Sequence, residues 1–315
     1  MTDLSVAVLS GGLSHERDVS LRSGRRLSTA LRAVGVAVQE WDADAALVAR
    51  LREQRPDTVV ITLHGAEGEG GSLQTVLELL DIPYVGADSH ACRRAWDKPT
   101  AKTEIARAGL STPEWVVLPH NTFRELGAQQ VLDAMVDRLG LPLMLKPDQG
   151  GSALGAQVVR DAADLPTAMV GCLAYGDTVL AERYIAGTEV AVTVVESDDG
   201  PVALPAVEIE AKRGVYDFTA RYTAGLTTFH APARLSAETS TAVADLAVRA
   251  HQLLNLRDVS RTDAVVAEDG TVYFLEVNVS PGLTETSLLP MAAEAAGRGL
   301  GDIYAGLISR AVDRD

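Results

Sequence analysis

The stretch LMLKPDQGGSALGAQVV, residues 143–159, places a glycine-rich loop between two apolar runs. An apolar run ends at Lys146, a loop with three glycines follows, and a second apolar run closes the stretch. This order of strand, glycine loop and strand differs from the strand-to-helix turn of dinucleotide and Walker-type sites. Glycine N–H groups can approach a phosphate closely, and a lysine beside them can reach it. The pattern indicates a polyphosphate site, with a plain structural hairpin as the alternative.

A pair of short acidic segments predicts a metal site. We expect Asp263 to begin one strand of a hairpin, and Glu276 and Asn278 to end the other. Residues two apart on a strand face the same side, so Glu276 and Asn278 point together. Two carboxylates and an amide oxygen suit Mg²⁺. The alternative is a solvated strand face, but the apolar neighbours of Glu276 favour a buried setting.

The first third of the chain alternates strands and helices, which predicts a parallel α/β lobe. The strand Leu4–Leu9 runs into two glycines and a helix whose start carries Glu16. A later strand, Thr58–Leu63, runs into His64 and another glycine-rich turn. Ligands of such sheets bind beyond the carboxyl ends of the strands. Glu16 and His64 are therefore candidates, although Glu16 can simply stabilise the helix dipole and His64 can be a satisfied turn residue.

The remaining pattern predicts two more lobes. We place an N-terminal α/β lobe at 1–95, a small central lobe at 96–185, and a C-terminal lobe with a largely antiparallel sheet at 186–315. A single helix is expected over Phe123–Leu139.

Composition limits the classes of partner. The 315 residues carry a net charge of −15, with 47% hydrophobic and 23% charged residues. This balance is typical of a globular protein, and the acidic surface repels nucleic acid and anionic lipid. Cys92 and Cys172 cannot form a disulfide framework, and we see neither a leader nor a spanning segment. We therefore expect a cytoplasmic protein without nucleic-acid or membrane partners.

Other residues can contact a nucleotide or a carboxylate substrate. Lys98 can supply a second phosphate contact, and the segment from Glu182 to Glu189 can serve adenine and ribose. Arg261 can stabilise an oxyanion. A surface lysine, an ordinary strand end and, for Ser287, a helix N-cap are the plain structural alternatives.

These segments together resemble the D-alanine–D-alanine ligase family of the ATP-grasp fold, over nearly the full chain. The resemblance rests on motifs spread along the sequence: 11–21, 64–74, 96–98, 146–147, 216–217, 221–222, 261–263 and 276–282. It implies an α/β ATP-grasp fold and a ligase that uses ATP to phosphorylate one D-alanine, so that a second attacks the acyl phosphate. It also implies two Mg²⁺ ions (Mn²⁺ being the alternative), a role in peptidoglycan precursor synthesis, and a homodimer.

The resemblance also implies a role for each matching position. ATP would be held by Lys98, Lys146, Gly151, Ser152, Glu182, Ile185, Glu189 and Arg221. The metal ligands would be Asp263, Glu276 and Asn278. The amino acids would meet Val19, His64 and Leu288, and catalysis would fall to Glu16, Arg261, Gly282, Tyr222 and Ser287.

Two departures from the family pattern lie near the mobile loop that would close over the site. Where relatives often carry Gly-Ser-Ser, positions 150–152 read Gly-Gly-Ser, so we expect the hydroxyl that would link Glu16 to the lid tyrosine to be missing at Gly151. Arg221 stands where lysine is usual. A related ligase that joins other amino acids and a catalytically silent ATP-binding regulator therefore remain as alternatives. A dinucleotide-dependent oxidoreductase is disfavoured, because the spaced third glycine is missing.

Overall fold

The computed structural model describes residues 4–212 and 214–314, except for the side chain of Tyr222. The strands in this part of the chain are β1 (Val6–Ser10), β2 (Val38–Asp42), β3 (Thr58–Ile61), β4 (Tyr84–Val85), β5 (Trp115–Pro119), β6 (Leu143–Pro147), β7 (Gln157–Val159), β8 (Thr178–Arg183), β9 (Gly187–Ser197), β10 (Gly200–Ala203), β11 (Val207–Ala211), β12 (Thr227–His230), β13 (Val259–Ala267) and β14 (Val272–Asn278). The helices are α1 (Arg17–Ala33), α2 (Leu47–Gln54), α3 (Ala66–Glu69), α4 (Ser72–Leu79), α5 (Ser89–Trp96), α6 (Lys98–Arg107), α7 (His120–Leu126), α8 (Ala128–Leu139), α9 (Leu165–Leu173), α10 (Phe218–Tyr222), α11 (Ala237–Leu253), α12 (Leu288–Ala295) and α13 (Leu300–Val312), with a 3₁₀ turn at Ala162–Asp164.

The N-terminal sheet is parallel, in the order β2-β1-β3-β4. All five residues of β1 are buried, because helices cover both faces of the sheet. The prediction of a parallel α/β lobe is confirmed. The carboxyl ends of β1 and β3 lead directly into the turns that carry Glu16 and His64.

The central sheet has the order β5-β8-β6-β7 and is antiparallel throughout. Its strands β6 and β7 flank the glycine loop, as predicted. The single helix expected over Phe123–Leu139 is wrong. Gly127 has φ of 88°, which ends α7 and starts α8 in a new direction.

The C-terminal sheet is also antiparallel, in the order β12-β11-β9-β13-β14, with β10 paired to β9. Asp263 lies in the middle of β13, so the expectation that it begins this strand is wrong. The reason is that β13 pairs with β9 over the whole length from Val259 to Ala267. Glu276 and Asn278 do end β14.

One hydrophobic core joins the first and last parts of the chain. Leu27 and Leu31 of α1 belong to the same buried cluster as Ile303 and Leu307 of α13, and residues of β9 and β11 complete it. The last helix therefore returns to the N-terminal sheet. The residue bounds of the three lobes stay a prediction.

Among the described residues, the structure contains no helix that is both long and apolar enough to cross a membrane.

Candidate active site

A cavity lies between the central and C-terminal sheets and is walled by cations and carboxylates. Seven of the predicted ligands of ATP and metal line it: Lys98, Lys146, Gly151, Glu189, Arg221, Asp263 and Glu276. These residues come from α6, the glycine loop, both sheets and α10, so the fold brings together segments more than 100 residues apart. Basic groups opposite two carboxylates are what a metal–polyphosphate complex requires.

Lys98 reaches this cavity because α6 begins at its own position. The carboxylate of Asp97 accepts a hydrogen bond from the Thr100 N–H at 2.8 Å and so caps the helix. The Lys98 ammonium donates to the Gly150 carbonyl at 2.7 Å and lies 3.6 Å from Glu276 Oε2. It therefore ties the glycine loop to the metal-ligand candidates.

Glu182 lies behind the cavity wall instead of lining it. Its side chain is 2% exposed, with Oε1 2.5 Å from Lys146 Nζ and Oε2 2.8 Å from Lys102 Nζ. Burial works against its charged form, but the two lysines outweigh burial and lower the pKa of Glu182. Both carboxylate oxygens are thus engaged by lysines. Its contact with adenosine stays a prediction, as does that of Ile185, which lies in the turn between β8 and β9.

The candidate metal ligands face one another across β13 and β14. Asp263 is directly opposite Glu276, and Arg261 is opposite Asn278. Because Asp263 and Glu276 pair directly, both carboxylates lie on one face, and a β-bulge after Asp263 leaves Leu275 unpaired. Burial opposes the charge on Glu276, yet nearby lysines and arginines hold its pKa below the ordinary value.

This donor set fits a hard divalent cation. It offers two carboxylates and the Asn278 amide oxygen, which accepts a hydrogen bond from the Ser280 N–H at 2.8 Å. The guanidinium of Arg261 meanwhile holds both oxygens of Asp263, at 2.7 and 2.8 Å. A bound cation would share Asp263 with that arginine. Glu208, Glu210 and His230 form another group of possible metal donors. The guanidinium of Arg234 already pairs with both of these glutamates.

A second cavity adjoins the first and collects the predicted amino-acid residues. Its lining includes Glu16, Val19, His64, Arg261, Gly282, Ser287 and Leu288, together with Ser152 and Asn278. Sequence reasoning missed Arg22, Glu69, Tyr216, Thr284 and Thr286, which line it as well. Burial, with the nearby Glu16 charge, raises the pKa of Glu69 to about 8. The position of Glu69 in the glycine-rich segment after His64 is the sequence signal that could have identified it as a site residue.

His64 belongs to a chain of hydrogen bonds that fixes its tautomer. Its Nδ1 lies 3.0 Å from the Ser280 carbonyl, which can only accept, so Nδ1 carries the proton. Its Nε2 then accepts from the Ser23 hydroxyl at 3.2 Å, while that hydroxyl accepts from the Leu283 N–H at 3.1 Å. Burial lowers the pKa of His64 and keeps the ring neutral.

A hydroxyl does contact Glu16 one residue later, where the Ser152 Oγ donates to Glu16 Oε1. That the link from Glu16 to the lid tyrosine is missing at Gly151 stays a prediction. Ser152 has φ of 53°, which turns its side chain toward Glu16. A Cβ at Gly151 would itself lie 3.3 Å from Glu16 Oε2. The carboxylate of Glu16, at the N-cap position, makes no capping hydrogen bond to α1, and the helix-dipole alternative stays untested.

Ser287 and Gly282 meet closely at the far wall of this cavity. Ser287 stands at the N-cap position of α12 without capping it; its Oγ accepts instead from the Thr284 N–H at 3.0 Å. A Cβ at Gly282 would lie 2.8 Å from that Oγ, so a larger residue here would displace the Ser287 hydroxyl. The helix-cap alternative for Ser287 is therefore wrong.

The two cavities share Gly151, Tyr216 and Arg221. The Arg221 guanidinium lies 4.5 Å from the centroid of the Tyr216 ring. Its Nε is buried and has no hydrogen-bond partner among the residues that the structure describes, so it can serve an anionic ligand at the junction. The side chain of Tyr222 lies outside the described residues, although its backbone ends α10.

Comparison with known proteins gives one consistent result. A family model described as "D-ala D-ala ligase C-terminus" matches residues 105–309. A protein of Anaeromyxobacter sp. (strain Fw109-5) named D-alanine–D-alanine ligase is 41% identical over 312 residues, which are 99% of this chain and 97% of that protein. One of the same name from Pelotomaculum thermopropionicum is 37% identical over 310 residues, 98% and 97% of the two chains.

Solved structures agree with these sequence matches. D-alanine–D-alanine ligase from Bacillus anthracis complexed with ATP superposes with a TM-score of 0.81 at 27% identity, covering 99% of this chain and 98% of that one. The VanG D-Ala:D-Ser ligase from Enterococcus faecalis gives 0.83 at 26% identity, covering 97% and 98%. The similarity therefore extends over all three sheets and both cavities.

Proposed function

The chain belongs to the D-alanine–D-alanine ligase family, which has the ATP-grasp fold, and on that premise we propose that it joins two D-alanines at the expense of ATP. One observation supports this most directly. The cavity lined by basic side chains and candidate metal ligands adjoins the cavity lined by the residues predicted to bind the amino-acid substrates. The two cavities share Gly151, Tyr216 and Arg221. A phosphoryl group can therefore pass directly from the nucleotide to the amino acid across that junction.

The reaction has two steps. A carboxylate oxygen of the first D-alanine attacks the γ-phosphorus of ATP, the bond to ADP breaks, and an acyl phosphate forms. The amine of the second D-alanine, having lost a proton, then attacks the acyl carbon. Phosphate leaves from the tetrahedral intermediate, and a peptide bond remains.

The nucleotide side of the site binds and orients charge. Lys98 and Lys146 hold phosphate oxygens, and Arg221 receives the transferred group at the junction. Asp263, Glu276 and Asn278 hold two Mg²⁺ ions, for which Mn²⁺ can substitute; when bound, the ions neutralise charge on the phosphates.

The amino-acid side selects and steadies the substrates. Glu16 pairs with the ammonium of the first D-alanine, and His64, a neutral ring, orients the peptide segment that ends in Gly282. Arg261 and the Gly282 N–H stabilise the oxyanion of the tetrahedral intermediate. Ser287 and Leu288 receive the carboxylate of the second substrate, Val19 packs beside the first, and Tyr222 belongs to the closing lid.

The biological setting follows from this activity. We propose a cytoplasmic homodimer that supplies the D-alanyl-D-alanine dipeptide for peptidoglycan precursors, since both ATP and free amino acids are available in that compartment.

The test is phosphate release from ATP and Mg²⁺ with single and paired D- and L-amino acids, combined with product masses. Release that depends on D-alanine, with D-alanyl-D-alanine as the main product, is the expected result. Release only with another amino acid or pair would mean a related ligase of different specificity. ATP binding without any ADP release would instead indicate a silent regulator.

A further inference from the structure

A buried lysine that the mechanism above does not use lies next to the nucleotide site. Lys102, on α6, has a side chain that is 0% exposed. Its Nζ lies 2.8 Å from Glu182 Oε2 and donates to the Thr112 Oγ at 2.6 Å, and it sits 5.0 Å from the centroid of the Trp115 ring. A buried ammonium is costly unless it is paired, so its presence calls for an explanation.

Lys102 shares Glu182 with a lysine that does line the cavity. The other oxygen of that carboxylate lies 2.5 Å from Lys146 Nζ. One negative charge is thus divided between two cations, and the group carries one net positive charge. With Lys102 uncharged, the whole charge of Glu182 would act on Lys146 and compete with phosphate for it.

The same lysine also connects the two walls of the nucleotide cavity. The Thr112 hydroxyl that receives its hydrogen bond donates to the Phe274 carbonyl at 2.9 Å, and the Phe274 N–H donates to the Ser111 carbonyl at 2.9 Å. Phe274 lies on β14, two residues before Glu276. Lys102 therefore forms an ion pair with Glu182 on β8 of the central sheet and, through hydrogen bonds of Thr112, contacts the C-terminal sheet.

We propose that Lys102 is a positioning residue for the nucleotide. It shares the negative charge of Glu182 with Lys146, so that Lys146 stays free to bind phosphate. It also holds the central and C-terminal sheets in their relative positions around the cavity. This inference rests on the proposed function only in that the cavity binds ATP and ADP. Lys102 touches neither substrate and acts through Glu182.

The protonation of Lys102 gives the proposal a pH signature. Burial, opposed by Glu182 and reinforced by the charge on Lys146, lowers the pKa of Lys102 to about 8. The charged groups that face Lys102 are Glu182 on β8 and Lys146 on β6. Its uncharged neighbours are Trp115 on β5 and Thr112 in the segment before β5. As pH rises through that pKa, Lys102 loses its charge, so affinity for nucleotide should fall.

The experiment is calorimetric titration of the full chain with ADP and Mg²⁺, without amino acids, from neutral pH to about one unit above that pKa. We expect Lys102→Met to raise the dissociation constant at neutral pH about tenfold, equivalent to about 1.4 kcal/mol. The variant should also show a flatter pH dependence than the wild type. Glu104→Gln is the matched control, because Glu104 lies on the same helix and pairs with Arg94 at 2.5 Å, away from the cavity. It should bind ADP as the wild type does, at every pH.

A double-mutant cycle adds a second readout. Because Lys102 acts through Glu182, Lys102→Met in a Glu182→Gln background should cause no further loss of affinity. Additive losses, or a Lys102→Met variant with the affinity and pH profile of the wild type, would overturn the proposal. If Lys102→Met does not fold, the wild type alone provides the test. An affinity for ADP that stays constant as the pH rises through the pKa of Lys102 would then overturn the proposal. A wild-type chain that binds no ADP would contradict the proposed function instead.

Discussion

At the scale of single residues, the contact between Ser152 and Glu16 gives the Glu16 carboxylate a partner that the sequence did not predict. Ser152 supplies a hydroxyl beside Glu16, because a positive φ turns its side chain inward. The sequence shows two glycines before this serine but not which of three neighbouring residues points at Glu16. The backbone conformation decides that, and it is not readable from residue order.

Replacing this hydroxyl should weaken use of the first amino acid. A hydrogen bond to a charged group contributes about 1.5–3 kcal/mol, so we expect Ser152→Ala to lower kcat/KM for D-alanine by roughly 10- to 100-fold. Steady-state kinetics at saturating ATP measures this. Ser197→Ala, which removes only a hairpin hydrogen bond to the Gly200 carbonyl, serves as the control. Gly151→Ser should also lower the rate, because its Cβ would crowd Glu16; a faster enzyme would contradict the assignment.

The chain of hydrogen bonds through His64 predicts a second effect. Ser23→Ala leaves the Leu283 N–H and His64 Nε2 without a partner and so loosens the segment that carries Gly282. We expect a loss of about 1–3 kcal/mol in the free energy of unfolding and a lower kcat, measured by denaturation and by phosphate release.

Ser28 provides the control on the same helix. It is equally buried, but its hydroxyl has no hydrogen-bond partner within the described part of the chain. Ser28→Ala should therefore cost nothing in stability. Equal losses in the free energy of unfolding for Ser23→Ala and Ser28→Ala would show that the hydrogen bonds through His64 do not contribute specifically to stability.

Glu182 marks the limit of residue-level inference. Its position in the sequence suits adenosine, yet the structure engages both of its oxygens with Lys102 and Lys146. Those partners lie 80 and 36 residues away along the chain, and nothing in the sequence reveals that α6 packs a lysine against β8. Glu16, His64 and Arg261 were predictable because each sits in a recognisable motif.

At the scale of secondary-structure elements, the start of α6 governs where Lys98 lies. Asp97→Ala removes its N-cap, so we expect a loss of about 0.5–2 kcal/mol in stability together with a higher KM for ATP. Asp88→Ala removes an equivalent cap from α5, whose Asp88 accepts from the Ala91 N–H at 2.8 Å. That variant should lose similar stability but keep its KM for ATP. Matching changes in KM would show that the cap acts only on overall stability.

Element boundaries were harder to predict than element types. Apolar periodicity continues across Gly127 and predicts one helix, but the positive φ of that residue divides it. The strand carrying Asp263 extends four residues further toward the N-terminus than expected, because β9 is long enough to pair with all of it. Both errors come from geometry set by a glycine or a partner strand, not by local composition.

At the scale of the whole molecule, the packing of α13 on α1 joins the two ends of the chain. Gly301 lies where the two helices approach closely, since a Cβ there would lie 2.4 Å from the Ala30 carbonyl oxygen. We expect Gly301→Ala to lower the free energy of unfolding by about 1–3 kcal/mol. Chemical denaturation measures the change.

Gly306, on the same helix, is the matched control. Among the described residues no atom lies within 4 Å of a Cβ placed there. Gly306→Ala should raise stability by about 0.5–1 kcal/mol, because alanine favours helix more than glycine does. A destabilised Gly306→Ala, or a neutral Gly301→Ala, would contradict this view of the interface.

The overall architecture followed from sequence pattern to a large extent. Alternating strands and helices predicted the parallel sheet, and hairpin turns near Gly200 and Gly270 predicted the antiparallel one. The return of α13 to the N-terminal sheet was not predictable, because an apolar helix face does not specify its partner.

That returning helix has a consequence for how the protein is made. The apolar face of α1 is complete once about the first 33 residues exist, but its covering partner begins only at residue 300. At about 5–20 residues per second, a ribosome needs tens of seconds to add the intervening chain. Throughout that interval the nascent N-terminal lobe carries an uncovered hydrophobic surface, so its folding depends on what shields it before translation finishes.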